Sequence, residues 1–139
     1  MILTTADTAN SSSSAFTGLF TQAAEASRTY LVEAVIFFKA AATTTGLVTA
    51  LDAPSSAYTV YGMEAGESVT AWRTLVTNTP GTALVGTASG AATILMAHLY
   101  GTVVVGATPG NIVVKFRSEV NGSAVTVLRG SYAKFTVLS

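Results

Sequence analysis

Residues 30–39 read Tyr-Leu-Val-Glu-Ala-Val-Ile-Phe-Phe-Lys and carry the clearest structural signal in the chain. Successive side chains of a strand point to opposite faces. One face would therefore carry Tyr30, Val32, Ala34, Ile36 and Phe38. The other would carry Leu31, Glu33, Val35, Phe37 and Lys39. Both faces are largely apolar, so burial is expected on both. In a small β domain, we expect a neighbouring copy of the chain to supply the second covering layer.

Further apolar segments that favour strands follow along the rest of the chain. From residue 16 onward, short apolar runs rich in β-branched and aromatic residues alternate with Gly, Pro, Asn and Asp. Such spacing is typical of sandwiches and barrels, and it predicts an all-β fold, an antiparallel β-sandwich or jelly roll of about 8–10 strands. Residues 21–28 favour helix by composition but span only about two turns, so a turn is predicted there. The other predicted strands cover residues 47–51, 57–61, 68–77, 83–87, 93–105, 111–120, 124–128 and 131–138.

Four reversals have the residues that turns require. Residues 79–81 and 108–110 are both Thr-Pro-Gly, in which proline presets φ and glycine tolerates a positive φ. Residues 120–123, Val-Asn-Gly-Ser, predict a hairpin, and residues 129–131, Arg-Gly-Ser, predict a further tight turn.

The first 15 residues differ in composition from those that follow. They are rich in Thr, Ser and Ala and include four consecutive serines at residues 11–14. A segment of this kind cannot form a core by itself. The prediction is an N-terminal arm over residues 1–15, followed by one jelly-roll β domain over residues 16–139.

Composition narrows the functional classes. The chain has 139 residues, the size of one domain, and half of them are apolar. Only 10% are charged, against about 25% in an ordinary soluble domain. Much of the surface is therefore uncharged or covered by other copies. The seven basic and seven acidic residues cancel, which argues against nucleic-acid binding. Without cysteine there is no disulfide framework.

Two features bear on localisation. The N-terminus has no basic region followed by an apolar run, so no secretory signal is predicted and synthesis in the cytoplasm is expected. Residues 90–106 are apolar, but they contain His98 and several glycines and end in β-branched residues. We therefore expect strands there and no membrane insertion, since a spanning helix needs about 20 apolar residues.

The residues that support catalysis are scarce. One histidine and no cysteine leave no nucleophile and base pair with a recognisable motif. His98 shares an alternating face with Met96 and Tyr100 and is interpreted as structural. Glu64 and Glu67 are interpreted as a solvated turn. We predict no enzyme, no cofactor and no metal site. Trp72 could be a platform for stacking a sugar, but a buried sheet tryptophan is the preferred interpretation.

Two long segments carry a resemblance to a known class of protein. Residues 29–47 place an aromatic-led strand before a turn of alanines and threonines that ends in Gly46. Residues 99–119 and 124–131 contain a strand between glycines, a Thr-Pro-Gly turn, Ala-Val-Thr-Val and Gly-Ser. This pattern resembles small structural proteins of tailed bacteriophages, namely capsid decoration proteins and fibre-tip domains with a trimeric jelly roll like that of the tumour necrosis factor family. It covers residues 16–139.

The resemblance implies a homotrimeric virion protein without catalytic residues. The leading expectation is a decoration or cement protein that binds the major capsid protein on the outside of a phage head and stabilises the shell. The alternative is a tail-fibre tip that recognises a host receptor or glycan through residues 52–58, 63–67 and 87–92. A secreted receptor-binding trimer is disfavoured by the missing signal. Candidate trimer-interface residues are Leu31, Val35, Phe37, His98 and Tyr100. Candidate capsid contacts are Ile2, Leu3, Thr4 and Thr5.

Overall fold

The structure is a computed structural model that describes residues 1–66, 72–85 and 93–139. These residues form β-strands joined by turns and loops, and they contain no helix. The strands are β1 (Ile2–Leu3), β2 (Thr8–Asn10), β3 (Thr17–Ala24), β4 (Thr29–Ala40), β5 (Leu47–Asp52), β6 (Tyr58–Gly66), β7 (Trp72–Thr77), β8 (Leu84–Val85), β9 (Leu95–Val104), β10 (Gly110–Ser118), β11 (Val125–Val127) and β12 (Tyr132–Val137).

The strands form two antiparallel sheets. The large sheet has the order β1-β12-β4-β9-β6-β7, with β11 pairing to both β4 and β2. The small sheet has the order β3-β10-β5-β8. Strands β3 to β10 pair in a nested way, β3 with β10, β4 with β9, β5 with β8 and β6 with β7. A long hairpin rolled up in this way is jelly-roll-like, which confirms the prediction of an all-β antiparallel sandwich.

The core lies between the two sheets. The inner side chains of β4 are 0–5% exposed, as the alternation of residues 30–39 predicts. They pack against buried side chains of the small sheet such as Phe20, Leu51 and Phe116. In β10, Ile112, Val114 and Phe116 are fully buried while the alternate residues are half-buried.

The turns form largely where the sequence predicts them. Gly81, Gly122 and Gly130 have positive φ values of 74°, 79° and 89°. The prediction for residues 21–28 was wrong in part, because residues 21–24 belong to β3 and pair with β10. Only the second half reverses the chain, with Ser27 at a φ of 58°. Tertiary pairing outweighs the helical propensity of so short a segment. Residues 68–71 and 86–87, predicted as parts of strands, lie outside the described residues.

The N-terminal segment lies along one edge of the large sheet. Strand β1 pairs with β12 and β2 pairs with β11. The side chain of Asn10 anchors this segment from a buried position. Its amide group donates to the backbone oxygen of Ala15 at 2.9 Å, the Thr17 hydroxyl at 2.9 Å and the backbone oxygen of Phe116 at 3.4 Å. Its oxygen accepts from the Ser12 amide at 2.7 Å.

Candidate functional site

The side of the large sheet that faces away from the core is broad and mainly apolar, and we call it the outer face. It is built by the outward side chains of β1, β12, β4, β9, β6 and β7, whose register is continuous across the sheet. Nothing in the described part of the chain packs over it as a further layer of strands. Its apolar members are Leu3, Leu31, Val35, Phe37, Tyr58, Val60, Trp72, Val76, Met96, Tyr100, Val104 and Tyr132.

The structure places all five candidate interface residues on the outer face. Leu31, Val35 and Phe37 project from β4, and His98 and Tyr100 project from β9. Val35 lies directly opposite His98. All five are half-buried, whereas the inner residues of the same two strands are buried. The chain alone therefore leaves these side chains only partly covered.

The centre of the outer face contains a group of packed rings over a glycine. A Cβ atom built on Gly62 would lie 3.3 Å from the Tyr100 ring and 3.2 Å from a Val76 methyl group. The Tyr100 ring therefore covers the main chain of β6. The His98 ring lies beside it, with 5.4 Å between the ring centroids. Packing within one chain therefore determines the shape of the outer face at this point.

The outer face carries few charged side chains, and they include both signs. Glu33 of β4 lies opposite Lys134 of β12, and Glu64 of β6 lies opposite His98 of β9. Lys39 lies near the end of β4. A face with both signs of charge close together does not repel a second copy of the chain.

The interpretation of Trp72 as a buried sheet residue was wrong. Its side chain is 54% exposed at the start of β7, an end strand of the sheet as described. It lies opposite Gly66, which has no side chain to cover the ring. Val76 on the same face is 64% exposed. The period of two places Trp72, Thr74 and Val76 on one face, but this pattern by itself does not distinguish a covered face from an exposed one.

The four N-terminal candidate residues point in different directions. Ile2 packs against the core, and Leu3 is 53% exposed on the outer face. The Thr4 hydroxyl donates to the backbone oxygens of Leu128 and Ser131, each at 3.1 Å. Thr5 is exposed. Only Leu3 and Thr5 therefore present free side-chain surface while the segment is docked.

Several residues of the loops expected to recognise a receptor or glycan make contacts within the chain. The Asp52 carboxylate accepts from the Lys115 ammonium at 2.5 Å. Residues 63–66 lie within β6. Residue 67 and residues 87–92 lie outside the described residues. No three His, Asp or Glu side chains among residues 1–66, 72–85 and 93–139 lie close enough together to hold a metal ion.

The interior contains one phenol with a perturbed acidity. The Tyr61 hydroxyl donates to the backbone oxygen of Thr82 at 2.6 Å. Burial of the ring, together with the negative charge of Asp52, raises the pKa of Tyr61 above its ordinary value. Tyr61 lies on the inner face, 1% exposed, and so belongs to the core and not to a site for substrate.

Residues 95–104 form a strand, as expected, and in the described regions no helix is long and apolar enough to cross a membrane. Comparison of the chain with models of protein families, with curated proteins and with solved structures gives no significant match in any of the three. The resemblance to phage proteins therefore has no counterpart in these comparisons.

Proposed function

We propose that the chain is a structural protein that assembles through its outer face into a homotrimer and serves as a decoration or cement protein on a phage head. The observation that carries the proposal is the breadth of the apolar outer face on a chain with only 10% charged residues. Contiguous exposed apolar surface of this kind is typical of sites for protein association.

The size of the outer face is compatible with a stable interface. Its five longer strands, about 4.8 Å apart and each with about six residues spaced about 3.3 Å apart, give about 500 Å² in projection. Side-chain relief adds to this area. Each partner in a standard protein interface buries about 800 Å². The face therefore offers surface of the same order as one such interface.

The composition of the face supports its burial against another copy of the chain. Tyr, Trp, Phe and Met are enriched at the centres of interfaces, and all four occur on the outer face. A polar minority, including Glu33 opposite Lys134, can pair across copies as well as within one. Threefold symmetry, in which each copy offers two different patches, is taken from the resemblance to trimeric jelly rolls.

Attachment to a capsid would use the edge formed by the N-terminal segment. Leu3, at the border of the outer face, and Thr5 present exposed side chains there, and a sheet edge can add a strand from another protein. Three such edges in one trimer would bind a symmetric shell together and increase the overall affinity. In this role Ile2 and Thr4 hold the segment in place while their neighbours contact the major capsid protein.

The experiment that tests the role is removal of the protein from the particle. Heads assembled without this chain are expected to lose their contents at lower temperature and lower salt than complete heads. Adding purified protein back should restore their resistance. Survival of incomplete heads under all these conditions would contradict a cement function. Imaging of the particle should locate many copies on the head.

The alternative function is a tail-fibre tip that recognises a host glycan or receptor. The exposed ring of Trp72 favours it, because an accessible indole can stack on a sugar. The two functions differ in position and copy number. A few copies at the tail, together with loss of host adsorption in a Trp72→Ala variant, would support recognition in place of decoration.

A further inference from the structure

The turn between β10 and β11 joins two residues with a known chemical weakness. Asn121 is followed by Gly122, and this is the single Asn-Gly pair in the sequence. Glycine has no Cβ to shield its amide nitrogen or restrict the backbone. That nitrogen can attack the Asn121 side-chain carbonyl carbon, which closes a five-membered succinimide ring and releases the side-chain nitrogen as ammonia. Water then opens the ring to aspartate or isoaspartate. Asparagine is a thermolabile residue for this reason.

The fold holds the attacking nitrogen in a hydrogen bond. The Gly122 amide donates to the backbone oxygen of Ser11 at 2.8 Å. The turn itself is closed by the Ser123 amide, which donates to the oxygen of Val120 at 3.2 Å, and Gly122 holds a φ of 79°. Attack requires the Gly122 nitrogen to lose its proton and turn toward the Asn121 side chain. Neither step is compatible with its bond to Ser11.

Ser11 is held in place by its neighbours on both sides. The Ser12 amide donates to the Asn10 side chain, and the Ser12 oxygen accepts from the Ser118 amide at 3.1 Å. Asn10 is in turn anchored to β3 and β10. The hydrogen bond of the Gly122 amide is therefore tied to docking of the N-terminal segment on the sandwich.

We propose that Asn121 is a site of spontaneous deamidation and that docking of the N-terminal segment controls its rate. The product places a new carboxylate two residues from Glu119. In the isoaspartate form it also lengthens the main chain by one methylene, which shifts the Gly122 nitrogen away from Ser11. Deamidation of Asn121 and detachment of the N-terminal segment therefore favour each other. This inference does not depend on a role in a virus particle.

The test follows deamidation at residue 121 by peptide mass mapping during incubation in mildly alkaline buffer. Folded protein is expected to react at least about tenfold more slowly than the same protein in concentrated urea, because reaction requires local opening. An Asn10→Ala variant should react at least about fivefold faster than the wild type under native conditions. Equal rates in folded and unfolded protein, or no acceleration in the variant, would overturn the proposal.

Two controls separate this effect from general instability. A Tyr61→Phe variant loses the hydrogen bond from β6 to the backbone oxygen of Thr82, which is not part of the contact between Ser11 and Gly122, and should leave the rate at Asn121 unchanged. Asn78 is exposed and precedes a β-branched threonine, so it should react more slowly than Asn121 in urea. If Asn10→Ala does not fold, hydrogen exchange of the wild-type Gly122 amide decides the question. Protection of the Gly122 amide against exchange supports the proposal, and free exchange contradicts it.

Discussion

Val35 of β4 lies directly opposite His98 of β9 on the outer face, while the adjacent pair, Ala34 and Leu99, is fully buried in the core. Adjacent residues of these two paired strands thus point alternately into the interior of the sandwich and onto the half-buried outer face. The same alternation continues through Phe37 and Met96. The second apolar face of residues 30–39 is therefore a property of the sheet and not of one strand alone.

A charge placed on the outer face should prevent self-association. In a Phe37→Glu variant, assembly would bury an unpaired carboxylate, which is unfavourable. We expect the association constant to fall at least about a hundredfold. Size-exclusion chromatography with light scattering measures the change, and circular dichroism should show that the β fold remains.

The matched control for this variant is Thr21→Glu. Thr21 is exposed in β3, on the small sheet, so the same charge is introduced away from the outer face. The control should assemble as the wild type does. Dissociation of both variants, or of neither, would argue against the outer face as the interface.

Loss of the Asn10 side chain should destabilise the fold. Asn10→Ala leaves the backbone oxygens of Ala15 and Phe116 without the amide donor that they share, at an expected cost of about 1–3 kcal/mol in the free energy of unfolding. Urea denaturation measures this difference. Thr5→Ala, at an exposed position of the same segment, should change stability by less than about 0.5 kcal/mol. A similar loss in both variants would contradict the anchoring role of Asn10.

Stability should decrease in alkaline solution because of Tyr61. Its raised pKa means that the folded chain retains the neutral phenol when the unfolded chain has already ionised. The contribution is present below about pH 10, the ordinary tyrosine pKa, and is lost as pH rises toward the folded value. Unfolding of the wild type and of Tyr61→Phe should be compared on both sides of this pH. The wild type should lose more stability on alkalinisation, and an equal loss would refute the assignment.

Gly101 should not tolerate a larger residue. A Cβ atom there would lie 2.7 Å from the Val60 oxygen and 2.8 Å from the Tyr61 Cα atom, both of which belong to the backbone of β6. Gly101→Ala is expected to cost about 3 kcal/mol through overpacking. Thermal unfolding provides the measurement. Gly18→Ala serves as the control. Its new Cβ atom would lie 3.6 Å from the Val113 side chain, an ordinary contact, so the change in stability should be close to zero.

The elements that sequence predicted well are those governed by local pattern. The alternation of residues 30–39 and of β10, and the turns at Gly81, Gly122 and Gly130, follow from side-chain period and backbone freedom. The jelly-roll-like pairing agrees with the expected sandwich. Its order depends on contacts between distant strands, which composition does not specify.

The features that sequence missed depend on distant partners. Strands β1 and β2 are only two and three residues long, and they form because β12 and β11, from the other end of the chain, lie beside them. The anchoring role of Asn10 has the same origin, since Phe116 is far away in sequence. The exposure of Trp72 follows from its place in an end strand, which is visible only once the order of strands is known.

The most direct test of self-association is the mass of the chain in dilute solution. Native mass spectrometry and light scattering should give three times the mass of the 14.2-kDa chain, over a range of concentrations. A single copy at every concentration would contradict burial of the outer face between copies and, with it, the proposed trimeric structural role.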